Sequence, residues 1–128
     1  MAESRDAPRP ADLLPLPSHV FQILLSLFEH PLHGYALLKD IERRTGGETA
    51  LGTSTLYAAL RRMLGLGLIA ETGPPPGTAS HDARRRYYRA TPLGRRAARA
   101  EAQRIRRLSD MIAEVPLLAT GPGRRGSR

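Results

Sequence analysis

The sequence predicts a mainly α-helical fold with one small β-hairpin and a long C-terminal helix, on three observations. Apolar residues recur at helical spacing in three successive segments between residues 18 and 66. Two short β-prone runs flank a glycine- and proline-rich loop at residues 73–80. Thr91-Pro92 is typical of a helix start, and no further proline occurs until Pro116. The 128 residues fit one domain with tails, since domains commonly run to about 100–150 residues.

The composition limits the partners and the compartment. A formal net charge of +8 and a pI near 11.1 predict attraction to a polyanion, which is nucleic acid, an anionic membrane surface or an acidic protein. The absence of cysteine excludes disulfides, thiolate metal sites and a cysteine nucleophile. The longest apolar stretch, residues 20–28, is interrupted by Gln22 and Ser26 and is far shorter than the roughly 20 residues that cross a bilayer. We therefore expect a cytoplasmic protein without membrane association.

The first two helices are predicted to follow a flexible arm. Residues 1–17 carry spaced prolines, so no helix is expected there. Ser18 is a candidate N-cap, and the helix after it is so densely apolar that we expect it to be covered on nearly all sides. Pro31 ends this helix. A second helix is predicted at residues 34–44, with one buried stripe formed by Tyr35, Leu38 and Ile41.

The third helix, predicted at residues 53–66 with Thr53 as N-cap, has two chemically different faces. At about 100° per residue, Leu56, Leu60 and Met63 fall on one side, which is the side expected to pack on the core. The opposite side and its flanks are expected to meet a partner through Ser54, Thr55, Tyr57, Ala58, Arg61 and Arg62.

A two-stranded hairpin is predicted from residues 68–72 and 85–90. Alternation along the second strand places Tyr87 and Tyr88 on opposite faces, and we expect Tyr88 in the core. The basic side chains of this hairpin are candidate phosphate contacts, namely Arg84, Arg85, Arg86 and Arg89. The alternative is that these arginines only keep the hairpin soluble.

The last helix is predicted at residues 92–115, about 35 Å at 1.5 Å per residue. Its second half carries a narrow apolar seam of Ile105, Leu108, Ile112 and Val115, which a single helix cannot bury. We expect a homodimer in which this helix packs on its mate and on the partner's first helix, through Phe21, Leu24 and Leu25. The arginines of the last helix are expected to be solvated. Residues 116–128 are expected to form a disordered basic tail.

Three short helices followed by a hairpin is the order of a winged helix-turn-helix. The chain then divides into an arm (1–17), a winged domain (18–91), a dimerisation helix (92–115) and a tail (116–128). In such domains the third helix enters the major groove of DNA and the hairpin, called the wing, reaches the flanking backbone. Arg61 can fork onto guanine or phosphate, and Ser54 and Thr55 lie where helix N–H groups bind phosphate. The alternative is an amphipathic helix whose polar face is merely solvated.

Four motifs are distinctive when taken together: Leu32-His33-Gly34-Tyr35, Ser54-Thr55-Leu56-Tyr57, Gly67-Leu68-Ile69 and Arg86-Tyr87-Tyr88-Arg89-Ala90-Thr91-Pro92-Leu93-Gly94. Over residues 16–96 the chain resembles the PadR family of transcriptional regulators, in its compact subgroup with one C-terminal helix. The resemblance implies a winged helix-turn-helix homodimer that usually represses its target operon from a palindrome-like operator, with DNA contacts near Tyr57. The chain departs from the family pattern at Ser54, Ala58 and Ala90, where glycine, proline and leucine are usual.

The sequence therefore predicts a DNA-binding transcriptional regulator, a repressor that acts as a homodimer on double-stranded operator DNA. Two alternatives stay open. One is a winged-helix adaptor that binds an acidic protein without an operator, and the other is a sensor of an unidentified small-molecule effector in which DNA binding is secondary.

No enzyme activity, cofactor or metal is expected. The chain shows no pattern typical of a Ser-His-Asp catalytic triad, of paired carboxylates in a cleft or of a phosphate-cradling loop. Residues 65–70 match a loose G-x-G-x-x-A pattern, but they follow a helix and precede a strand, the reverse of a dinucleotide site. His30 and His33 lack a nearby ligand partner, so we interpret them as turn histidines that bond to the backbone.

Overall fold

The computed structural model describes residues 9–48 and 51–119. In chain order these ranges contain a 3-10 helix Pro10–Leu13, α1 Ser18–Leu27, β1 Leu32–His33, α2 Gly34–Arg44, α3 Thr53–Gly65, β2 Ile69–Thr72, β3 Tyr87–Ala90, α4 Pro92–Ala113 and α5 Pro116–Ala119. The predicted fold class, mainly helical with a small antiparallel sheet and a long C-terminal helix, is confirmed. Within the described ranges no helix combines the length and the apolarity needed to cross a bilayer.

Helix α1 supplies the centre of the hydrophobic core. Ile23 and Leu24 are fully buried, and each such side chain contributes about 1.5–3 kcal/mol relative to an exposed one. The helix begins one residue earlier than predicted, because Pro17 is the N-cap and Ser18 is the first helical residue. The expectation that α1 is covered on nearly all sides is wrong at Leu25, whose side chain is exposed.

Helix α2 occupies the predicted residues, but its buried stripe is different. Its N-terminus is capped by His33, whose Nδ1 accepts a hydrogen bond of 3.2 Å from the Ala36 N–H. This backbone bond confirms the interpretation of His33 as a turn histidine. Leu37 and Ile41 are buried, whereas Tyr35 is 54% exposed, so the predicted stripe is wrong at Tyr35.

Helix α3 packs on the core as predicted. Leu56, Leu60 and Met63 are fully buried, which confirms the apolar face derived from helical spacing. The N-cap is Gly52 rather than Thr53, and the helix ends at Gly65. Gly67 then adopts a φ of +77°, a left-handed conformation that turns the chain into β2.

The sheet has three strands in the order β1-β3-β2, not the two predicted. The added strand, β1, pairs antiparallel with β3 through Leu32↔Tyr88 and His33↔Tyr87. Both Tyr87 and Tyr88 are buried, because the Tyr87 ring packs edge-on against the His33 ring at 5.3 Å between centroids. The sequence predicted burial of Tyr88 only, since it could not see the third strand.

Helix α4 begins as predicted at Thr91-Pro92. The Thr91 hydroxyl accepts a hydrogen bond of 3.0 Å from the Gly94 N–H and donates one of 2.6 Å to the Gly67 carbonyl. Gly94 lies against the Leu68 carbonyl, where no Cβ would fit. The start of α4 is therefore fixed directly onto the base of the wing.

The N-terminal segment is folded onto α4 from residue 10 onwards. The expectation of no helix within residues 1–17 is wrong for the 3-10 helix, and Leu16 is buried in the core. Glu101, only 2% exposed, accepts a bond of 3.4 Å from the Leu16 N–H and two from Arg104, at 2.9 and 2.7 Å. The hydrogen bonds from Arg104 are the main reason that the pKa of Glu101 lies below its usual range. Residues 1–8 of the predicted arm lie outside the described residues.

The C-terminal boundaries also differ from the prediction. Helix α4 ends at Ala113 rather than at residue 115, and Pro116 starts the short helix α5 instead of a disordered tail. Proline is well tolerated in a first helical turn, which explains how a new helix can begin there. The rest of the predicted tail, residues 120–128, lies outside the described residues.

Candidate nucleic-acid interface

The outward face of α3 carries the predicted partner contacts. All six of these side chains are exposed: Ser54, Thr55, Tyr57, Ala58, Arg61 and Arg62. Tyr57 is 40% exposed, and its ring lies across Gly34, the first residue of α2. A Cβ built on Gly34 would stand 2.8 Å from the Tyr57 Cζ and closer still to the hydroxyl, so only glycine allows this contact without movement. The position of Tyr57 is therefore set by the N-terminus of α2.

A groove separates α3 from the wing. This α3–wing groove encloses about 300 Å³ and is lined by Tyr57, Leu60, Arg61, Leu64, Glu71, Arg86 and Tyr88. Burial of the Tyr88 phenol, with the nearby Glu71 carboxylate, raises the pKa of Tyr88, so its hydroxyl stays protonated and neutral. The groove thus places hydrogen-bonding phenols and guanidinium groups beside each other, which is a combination suited to nucleic acid.

The four predicted wing arginines are all exposed, but two of them are engaged within the protein. The Arg85 Nε donates a bond of 2.9 Å to Asp82, and the Arg85 guanidinium lies 5.9 Å from the centroid of the Tyr35 ring. Arg86 pairs with Glu71 at 3.5 Å. Arg84 and Arg89 are exposed at the two ends of the same stretch.

Sequence reasoning missed three residues of this surface. Tyr35 was placed in the core, yet it is exposed beside Arg85 and lies 5.6 Å from the Lys39 Nζ. Glu71 was not singled out, although a lone carboxylate facing a basic strand could have drawn attention. Gly34 belonged to a recognised motif, but its contact with Tyr57 depends on the packing angle of α2 against α3, which no local signal encodes.

A second candidate surface is apolar and lies along α1 and α4. Of the predicted contacts, Ile105, Leu108, Ile112, Val115 and Leu25 are exposed, and Phe21 is half-buried. The prediction of Leu24 as a dimer contact is wrong, because its side chain is fully buried inside the subunit and cannot reach a partner. The exposed apolar surface also continues beyond the predicted seam to Met111, Leu117 and Leu118.

A wider polar cleft of about 820 Å³ lies between α2 and the wing loop, with His33, His81 and Asp82 among its lining residues. Among residues 9–48 and 51–119, no group of three or more histidine, aspartate or glutamate side chains could hold a metal ion. Burial, helped by the charge of Arg85, lowers the pKa of His33, which keeps the capping Nδ1 unprotonated.

Comparison with known proteins agrees with this architecture. A 37.1 kDa protein in transposon TN4556 of Streptomyces fradiae is 34% identical over 92 residues, which are 72% of this chain and 24% of that protein. The chain thus spans about a quarter of that relative. A PadR family transcriptional regulator from Eggerthella lenta superposes with a TM-score of 0.61 at 31% identity, over 81% of this chain and 84% of that one.

A more distant structure shares the fold. Bacillus subtilis PadR, solved in complex with operator DNA, superposes with a TM-score of 0.55 at 21% identity, over 67% of this chain and 47% of that one. At this identity the likeness concerns the fold alone. The model of the transcriptional regulator PadR-like family matches residues 23–100, which run from the second half of α1 through α2, α3 and the sheet to the first turns of α4. The chain therefore belongs to the PadR-like family of transcriptional regulators.

Proposed function

We propose that this protein is a cytoplasmic, DNA-binding repressor that acts as a homodimer on a palindrome-like operator. The observation that carries the proposal is the exposed Tyr57–Arg61 face of α3 beside a basic wing. The net charge of +8 supports it, because a basic surface attracts the DNA backbone. The operator complex of Bacillus subtilis PadR supports it further, since the same fold binds operator DNA there.

On DNA, each α3 enters a major groove and each wing contacts the backbone. Arg61 donates two hydrogen bonds to a guanine edge or a phosphate, and the Tyr57 hydroxyl donates a hydrogen bond to a base or phosphate. Ser54 and Thr55 lie in the first turn of α3, where helix N–H groups favour a phosphate. Arg62 and Ala58 flank these contacts, and the wing contributes Arg84, Arg85, Arg86 and Arg89.

The homodimer forms through the apolar surface along α1 and α4. The exposed seam of α4 needs a partner, and a second copy offers the same seam under two-fold symmetry. The Phe21 and Leu25 side chains on α1 extend that surface. Such a dimer presents two copies of α3 at about 34 Å, one turn of DNA.

The decisive experiment is a titration of operator and random DNA with the Arg61→Ala variant. The operator is first located by footprinting upstream of the gene for this protein and its neighbours. We expect Arg61→Ala to lower the ratio of operator to random affinity by about five- to a hundredfold, the range for one bidentate base contact. The matched control is Arg107→Ala, which removes the same charge from an exposed site on α4. An unchanged ratio in Arg61→Ala would contradict base readout by Arg61.

Salt dependence and reporter expression test the remaining parts. The logarithm of the binding constant should fall linearly with the logarithm of salt concentration, by about 0.9 per phosphate contact. A salt-independent complex would contradict backbone binding. Expression from the bound promoter should rise when the protein is removed, and a fall would indicate an activator instead.

One observation favours an effector as a second component. A groove of about 390 Å³ lies between α1 and α4, lined by Leu25, Phe28, Ala98, Arg99, Ala102, Gln103 and Arg106. The Arg95 and Arg99 guanidinium groups stack on the Phe28 ring at 4.8 and 5.2 Å, which suits an aromatic or anionic molecule. A ligand-induced rise in melting temperature that Phe28→Ala abolishes would support this site, and a rise retained in Phe28→Ala would contradict it.

A further inference from the structure

An acidic side chain lies inside the otherwise basic α3–wing groove. Among the described residues that line this groove, Glu71 is the one carboxylate, and it faces Tyr57 and Arg61 of α3. Glu71 is opposite Tyr88 in the register of β2 and β3, so their side chains lie on the same face of the sheet. A negative charge on a surface that meets DNA phosphates opposes binding unless another role offsets it.

The structure shows what Glu71 contacts. Its Oε2 lies 3.5 Å from an Nη of Arg86, which immediately precedes β3 and is two residues before Tyr88. Glu71, Arg86 and Tyr88 all line the α3–wing groove, so their side chains lie on the same side of the sheet. The Arg86 and Glu71 side chains are 76% and 47% exposed, so the pair can open without rearrangement of the core.

We infer that Glu71 is an affinity-setting residue: its carboxylate occupies Arg86 in place of a DNA phosphate and lowers the affinity of the protein for all DNA. The inference rests on the proposed function. A carboxylate and a phosphate oxygen compete for the same guanidinium donors. Phosphate contacts carry no base information, so this competition weakens operator and random DNA equally. For a chain of net charge +8, the effect limits attachment to the many random sites of a genome.

The test compares Glu71→Gln in two backgrounds, the wild type and Arg86→Gln. We measure binding to the footprinted operator and to random DNA of equal length. In the wild-type background, Glu71→Gln should raise both affinities by about two- to fivefold, the range for one exposed ion pair, and leave their ratio unchanged. In the Arg86→Gln background, Glu71→Gln should change neither affinity, because the competed cation is already absent. Unfolding in urea should confirm that each variant is folded.

Asp12→Asn is the control for net charge. Asp12 pairs with Arg9 at 3.4 Å, with side chains 53% and 77% exposed, so this pair closely matches the Glu71 pair. It lies on the 3-10 helix against α4, away from α3 and the wing. Asp12→Asn adds the same charge as Glu71→Gln but should leave DNA affinity nearly unchanged.

Three results would overturn the inference. They are an unaltered affinity in Glu71→Gln, an equal gain in the Arg86→Gln background, and an equal gain in Asp12→Asn. The first two show that Glu71 does not act through Arg86, and the third shows that net charge alone is responsible. Failure of the proposed function is distinct from all three, because the wild-type protein itself would then show no preference for the operator.

Discussion

The contact between Gly34 and Tyr57 allows DNA binding to be changed without unfolding the protein. In Gly34→Ala, the new Cβ would stand 2.8 Å from the Tyr57 Cζ and 3.3 Å from Cε1. Carbon atoms in good contact are about 3.5–4.0 Å apart, so the ring must move by about 1 Å. Tyr57 is a partly exposed side chain and can move away, whereas the α2 backbone stays in place.

Gly34→Ala should preserve or slightly raise the stability of the protein while it lowers operator affinity. Alanine is favoured over glycine in a helix by up to about 1 kcal/mol, so the free energy of unfolding should stay constant or rise slightly. A good base contact is worth about 1–3 kcal/mol, and a ring displaced by about 1 Å keeps only part of that. We therefore expect operator affinity to fall by about three- to tenfold.

The assay combines urea unfolding with operator titration in a double-mutant cycle. Once Tyr57→Ala has removed the ring, Gly34→Ala should stabilise the protein and cause no further loss of affinity. Gly34→Ala with unchanged operator affinity, or with the same loss in the Tyr57→Ala background, would refute the reasoning.

Gly94→Ala is the contrasting variant for stability. Its Cβ would lie 3.1 Å from the Leu68 carbonyl carbon and from Leu24 Cδ2, and even closer to the Leu68 carbonyl oxygen. These neighbours are backbone and buried core, which cannot move aside. We expect a loss of about 1–3 kcal/mol in the free energy of unfolding, and a neutral result would contradict the close packing of the wing base on α4.

The remaining predictions concern a cap, a titrating carboxylate and the dimer. Thr91→Ala removes the helix cap and the bond to Gly67, and should lower the free energy of unfolding in urea by about 1–2 kcal/mol. A loss below about 0.5 kcal/mol would contradict the role of Thr91 in fixing α4 to the base of the wing. Burial acts to raise the pKa of Asp40, but hydrogen bonds, first from Arg44, outweigh it and lower the pKa from 3.8 to about 2. The folded state is thus stabilised above pH 3.8 and loses this stabilisation as pH falls towards 2. In a pH series of urea unfolding, Asp40→Asn should reduce the fall of the free energy of unfolding over this range. The same pH dependence in wild type and Asp40→Asn would contradict the pairing of Asp40 with Arg44. Leu108→Glu should give a monomer in sedimentation, and a retained dimer would exclude the α4 seam.

Features encoded within one helix turn were predictable from the sequence. The bounds of α2, the apolar face of α3 and the Thr91 cap each depend on spacing or on a cap within a few residues. The exposure of Tyr57 and Arg61 follows from the same helical periodicity, because the residues opposite a buried stripe face outward.

Features formed between distant residues were not predictable. The strand β1 has only two residues, too few for an alternating pattern, and it is defined by its pairing with β3. Leu16 reads as part of a proline-rich arm, yet it is anchored by Glu101, 85 residues further along the chain. The position of Glu101 among charged neighbours gave no sign of burial, since charged residues are almost never buried unless paired.

The wing shows most clearly why a count of basic residues is not a count of DNA contacts. Arg85 is held by a bond of 2.9 Å to Asp82 and by the Tyr35 ring, two restraints that DNA would have to break together. Arg86 pairs with Glu71 at the longer distance of 3.5 Å and also interacts with the Tyr88 hydroxyl, and its side chain is more exposed than that of Arg85. We therefore expect Arg86 to transfer to a phosphate more readily than Arg85, which must first leave both Asp82 and the Tyr35 ring. These two adjacent arginines are thus expected to contribute differently to DNA binding, because their carboxylate partners lie at different distances. The run Arg84-Arg85-Arg86 does not contain that information.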